Sequence, residues 1–226
     1  KEDRPISFKL DVMPVFMKSG CNSGPCHGSS RGKDGFRLSL FGFDPDGDYD
    51  RLTREFIGRR INLALPEDSL MMAKSVGSVQ HTGGALFTKE SEYYDSLLRW
   101  LKAGVPKDAA DVAKAVGIEI FPKQVVLEGE GANQRLTVRA TYSDGTDRDI
   151  THLVAIVSNN DVSVKVSKEG VLTGGSRGEA FILARYDTFA VGTQVLVIPK
   201  GLKFTFPDVK PNNYVDELVY AKLKKL

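Results

Sequence analysis

Residues 21–27 read Cys-Asn-Ser-Gly-Pro-Cys-His, and they contain both cysteines of the 226-residue chain. The pattern is the c-type haem attachment signature with a four-residue spacer in place of two. Two thiols at this spacing can add to the vinyl groups of a porphyrin. Histidine directly after the second thiol is placed to reach the iron. On this reading Cys21 and Cys26 carry one covalently attached haem c, and His27 is its proximal ligand. A second axial ligand is ordinarily His or Met. Of the other histidines, His81 lies in a glycine-flanked loop, VQHTGGALF, whereas His152 falls in a strand-rich stretch. His81 is therefore the expected distal ligand, with Met71 or Met72 as the alternative in an apolar helical segment. Zinc and a Cys21–Cys26 disulfide compete for the same residues. Adjacent ligands at 26 and 27 fit one tetrahedral ion poorly, and a disulfide leaves His27 without a role.

Composition narrows the field around this motif. With 31 basic and 29 acidic residues the formal charge is +2, so no strong field points to nucleic acid or an anionic membrane. No run of 18 apolar residues is present, which predicts no transmembrane segment. The opening KEDRPISFKL is neither a signal peptide nor an initiator methionine and reads as a trimmed or mature fragment. No catalytic triad, phosphate-binding glycine loop or nucleic-acid patch is seen, so no catalytic residue is assigned. The run DPDGDYDRLTRE, 44–55, has acids at calcium-loop spacing, but its glycine is misplaced. A turn and helix cap explain it better.

The chain changes character near residue 110. Before it, helical pieces alternate with glycine-rich loops. Asp11–Ser19 predicts a short amphipathic helix, and Asp48 predicts a cap for a helix from Tyr49 toward Arg59, with Leu52 and Phe56 inward. Tyr94, Leu97, Leu98 and Leu101 share one face of a helix ended by Gly104 and Pro106. From 118 to 199 apolar and polar residues alternate in short runs separated by turns such as Asp144-Gly145, the profile of a β-sandwich. Near the end, Asn213 can cap a helix with Val215, Leu218, Val219 and Leu223 in a stripe, which reads as the start of a further domain. The expected division is a haem domain at 1–107, a linker at 108–117, a sandwich at 118–199 and a truncated further domain at 200–226. Arg59 and Arg60 are candidate partners for haem propionates, since guanidinium and carboxylate pair in a forked geometry. Trp100 is a candidate to pack on the ring or on the first helix.

With those residues named, a family resemblance can be stated. The order Cys26-His27-Gly28, GFRLSLFG at 35–42, Arg59-Arg60, Pro66 to Leu70, His81 to Gly84 and Trp100 to Pro106 resembles the planctomycete-type cytochrome c domain. YSDGTDRDIT (142–151) and GVLTGGSRGEAFILARY (170–186) resemble a bacterial Ig-like domain of group 2. The resemblance implies an all-α cytochrome c-like domain followed by an all-β immunoglobulin-like sandwich, in a periplasmic or otherwise exported protein. It implies monohaem electron transfer with bis-histidine iron and an unidentified redox partner. A haem sensor or small-molecule-binding centre is the alternative. A structural or polysaccharide-binding module of a larger exported protein is another, with polysaccharide or protein bound through the Ig-like domain.

Overall fold

The computed structural model describes residues 5–224; residues 1–4 and 225–226, the outer ends of the first and last expected segments, lie outside the described residues. Ten strands dominate the second half. In the first half a π-helical turn, Phe8–Val12, runs into α1 (Met13–Lys18), followed by α2 (Pro45–Thr53), α3 (Ile57–Arg60), α4 (Leu70–Ser75) and α5 (Glu92–Lys102).

Alternation in sequence becomes alternation in burial. Strands β1 (Ala115–Phe121), β4 (Thr137–Tyr142) and β5 (Asp147–Asp149) form one antiparallel sheet. In β4 every second side chain, Val138, Ala140 and Tyr142, is buried, as a half-exposed strand requires. A four-stranded sheet has the order β2 (Gln124–Glu128), β10 (Phe189–Ile198), β9 (Gly178–Tyr186), β6 (Ala155–Ser158), with β2 parallel to β10. The third sheet pairs β3 (Asn133–Arg135), β8 (Val171–Gly174) and β7 (Val164–Val166). All three enclose one core that includes Ile120, Leu136, Val138, Ile150, Leu172, Ile182 and Val195. Strand β1 starts at Ala115, within the stretch read from sequence as linker.

The first half corrects the expectation of an all-α cytochrome c-like domain. Its longest helix has 11 residues, and residues 19–39 and 76–91 contain no helix. The chain is β-rich, with a few short helices set among loops. Helices this short are marginal on their own and depend on tertiary packing. Here Phe8, Val12, Val15, Phe16, Leu38, Leu52, Met72, Leu97, Trp100 and Leu101 supply that packing in a second cluster. Helix α2 is held by polar contacts: Asp48 is fully buried and accepts from Ser39 N (2.6 Å), Ser39 Oγ (2.5 Å) and Arg51 Nη1 (2.7 Å). Asp44 caps the helix by accepting from Gly47 N at 3.1 Å.

The segment from Phe8 to Lys18 serves both cores. Leu10 and Met17, seven positions apart, belong to the sandwich core, while Val12, Met13, Val15 and Phe16 belong to the other. Its N-terminus is satisfied by Ser7 Oγ, which accepts from Leu10 N, and by the Asp108 carboxylate, which accepts from Phe8 N (3.0 Å) and Lys9 N (2.8 Å). At its other end Lys18 Nζ donates to Val154 O (2.8 Å) and Lys168 O (2.5 Å) of the β half. Tyr93 Oη donates to His152 O at 2.7 Å, and the Arg185 guanidinium covers the Phe41 ring at 4.5 Å.

Burial pushes the Lys18 ammonium down from its ordinary 10.5 to about 8, against the pull of nearby Glu169 and with some help from Lys168. The neutral amine keeps N–H donors for both carbonyls. Because the folded value is lowered, the unfolded chain holds more protons between about pH 8 and 10.5, so this group's contribution to stability rises with pH across that window. The stability difference between wild type and Lys18→Met is therefore expected to widen on going from below about pH 8 to above about pH 10, by on the order of 1–2 kcal/mol after discounting for solvent screening. Urea unfolding of both proteins across this range checks it; a flat difference contradicts it.

Candidate functional site

The loop after α1 is fixed by its backbone. Cys21 N donates to Phe16 O (2.8 Å), His27 N to Cys21 O (2.9 Å), Gly28 N to Ser23 O (2.9 Å) and Leu38 N to His27 O (2.8 Å). Gly28 is required by close approach: a Cβ there would lie 2.0 Å from Asn22 O. The turn delivers Cys21 and His27 to one wall of a cavity of about 320 Å3. Phe16, Phe36, Leu38, Leu52, Met71 and Leu86 give it an apolar lining, and Lys33, Arg59, Arg60, Lys74 and the single carboxylate Asp34 make its polar part.

His81 closes the cavity on the side facing His27. The two imidazole rings are 6.2 Å apart between centroids, with planes 8° from parallel. His27 Nδ1–H donates to Phe36 O (3.0 Å), and His81 Nδ1 pairs with Gly84 O (3.3 Å). This leaves Nε2 of each ring outside those bonds. Burial holds His27 below the ordinary histidine range; the bond to Phe36 opposes this, and His81 adds to it. His27 is therefore neutral at pH 7.

Both cysteines are free thiols. Cys21 is half-buried as a residue, yet its thiol is shielded from water. Burial, with Cys26 beside it, pushes that thiol up to about 12. Cys26 does not line the cavity. Arg59 is exposed at the rim. Arg60 is committed to backbone, donating to Arg51 O (2.9 Å), Gly35 O (3.2 Å) and Glu55 O, with its guanidinium 4.5 Å from the Phe36 ring. Met71 lines the cavity, whereas Met72 is fully buried in the core beneath it. Trp100 is also fully buried, 5.3 Å from the Phe8 ring, and its Nε1 donates to Pro106 O.

Of the residues singled out in the sequence, the fold thus gathers Cys21, His27, Arg59, Arg60, Met71 and His81 around one cavity. Cys26, Met72 and Trp100 lie outside it. Sequence reading passed over Lys74, Ser75 and Leu86 and placed Phe56 in a helix interior. Lys74 and Ser75 follow Met71 on a short helix whose cavity-facing side no local pattern marks.

No family model matches the chain. No curated protein matches it. Among solved structures it is similar to the surface layer protein SbsC, domains 1–6, with a TM-score of 0.33 and 18% identity over 40% of this chain and 14% of that one. It is also similar to SbsC domains 5–6, with a TM-score of 0.32 and 20% identity over 38% of this chain and 45% of that one.

These findings correct the chemical expectations. Among the described residues no three His, Cys, Asp or Glu side chains form a group that could hold a metal ion. His27 and His81 stand as a pair, the Cys21 thiol is shielded from water, and Cys26 is not part of the cavity lining. The covalent haem c is therefore withdrawn, and with it the bis-histidine iron, the CX4CH cytochrome c keyword and electron transfer. The planctomycete-type cytochrome and bacterial Ig-like resemblances are not sustained by any family match. The calcium-like run at 44–55 is structural, its Asp44 and Asp48 being spent on helix α2. Among the described residues no helix is long and apolar enough to cross a membrane.

The two thiols differ in a way that can be read directly. Iodoacetamide at about pH 8 is expected to label Cys26 in the native protein and spare Cys21, and to label both in urea. Peptide mass mapping reports it; equal native labelling would show the Cys21 thiol to be open to water.

Proposed function

We propose that this chain is a non-catalytic module of an exported protein, in which the β-sandwich forms a rigid support and the first half binds an apolar, acidic small molecule. The observation that carries the reading is the cavity between His27 and His81. It is large enough for a molecule of a few rings, mostly apolar inside, and bordered by Arg59, Arg60, Lys33 and Lys74 against one carboxylate, Asp34. Apolar walls supply affinity and a few placed polar groups supply orientation. The two imidazoles add flat faces, and neutral His27 an Nε2 acceptor. The division into 1–107, 108–117, 118–199 and 200–226 belongs to this reading, as does the exported location, which cell fractionation tests. A polysaccharide or protein partner for the sandwich would meet exposed Val157, Phe181 and Leu183, neighbours on one face of β6 and β9; this small open patch lacks the enclosure and charged rim of the cavity, so the cavity leads.

Anilinonaphthalene sulfonate, an apolar ring-bearing acid, is the probe. One dye per protein is expected, shifting the imidazole resonances of His27 and His81. Arg59→Glu and His81→Ala are each expected to weaken binding by about fivefold or more, the worth of one lost polar or stacking contact. Dye binding that ignores both changes contradicts the reading.

A further inference from the structure

Phe56 has φ 51° and ψ 42°, in the left-handed region. For a bulky residue this conformation is strained by on the order of 1 kcal/mol. The position lies just past α2, which ends at Thr53. A left-handed residue after a helix is ordinarily glycine or asparagine, which adopt it at little cost. Core packing commonly holds a large residue in such a position. Here it does not: Phe56 is 75% exposed.

The ring instead lines the cavity mouth. The Arg60 guanidinium lies 5.8 Å from it on one side and 4.5 Å from the Phe36 ring on the other. Phe36 in turn lies 4.7 Å from the His27 ring. Flat groups thus follow one another along one wall, Phe56, Arg60, Phe36, His27, with Phe56 outermost. Strain held at a site without packing to account for it points to function.

We propose that Phe56 is a ligand-contacting residue of this cavity, an aromatic face held out by a strained backbone against which the rings of an aromatic acid stack. The inference rests on the reading of the cavity as a small-molecule site and adds the preference for a ring-bearing ligand. Ring-on-ring contact at an exposed aromatic removes water from both faces and has its own geometry of attraction.

Phe56→Gly relieves the strain and removes the ring, while Phe56→Leu keeps apolar bulk without a flat face. In the full chain, Phe56→Gly is expected to unfold at a temperature no lower than wild type, yet to bind anilinonaphthalene sulfonate about tenfold more weakly. Phe56→Leu is expected to fall between the two in affinity. If wild type binds and both variants bind equally well, the role of Phe56 is overturned while the cavity reading stands. If Phe56→Gly is markedly less stable, Phe56 is a packing residue and the inference also fails. If the wild-type dye site ignores Arg59→Glu and His81→Ala, the cavity reading itself fails, and this one with it.

Discussion

One eleven-residue segment, Phe8 to Lys18, has both of its sides buried, and the rest of the molecule is arranged around that constraint. Leu10 and Met17 complete the sandwich core, and Val12, Met13, Val15 and Phe16 complete the other. A helix with apolar residues on two faces is stable in water only when both are covered. Neither half of the chain therefore has a finished core without it. The polar groups at its ends follow the same logic. Asp108 accepts from the N–H groups at the start, and Lys18 donates to the carbonyls of Val154 and Lys168 at the end.

The cavity inherits its geometry from that helix. Phe16 is both a core residue and a wall of the cavity, and the chain leaves α1 directly into the turn that places Cys21 and His27. Gly28 lets the chain double back on Asn22, which brings the His27 carbonyl to Leu38 N and starts the strip that carries Phe36. The opposite wall, His81 and Leu86, comes from an irregular stretch held to α4 by Leu86 N donating to Ser75 O at 2.8 Å.

Much of the β half could be read from alternation, because a strand with one face buried writes a period of two into the sequence; Val138, Ala140 and Tyr142 show it plainly. The amphipathic helix at 92–102 was legible for the same kind of reason. The first half was not. Leu10 and Met17 look like surplus apolar residues on a short helix, and only the sandwich gives them a place. Phe56 fits a continuing helix by spacing, but the chain turns left-handed there, and no local rule puts phenylalanine in that conformation. The short motif at 21–27 suggested a chemistry because it fixes residue order. What it leaves open is which thiol reaches the cavity, and the fold places Cys21 in its wall and Cys26 outside its lining.

The shared helix makes a prediction about cooperativity. Trp100, the single tryptophan, is fully buried in the first core, so its fluorescence reports that half, while pulse-labelled amide hydrogen exchange in β4, β9 and β10 reports the sandwich. Urea unfolding followed by both signals should give coincident transitions, and Leu10→Ala, which costs about 2–5 kcal/mol at a sandwich-core position, should move both midpoints together. Two separated transitions, with Leu10→Ala shifting only the strand amides, would show that the halves fold independently and that the helix is not their common support.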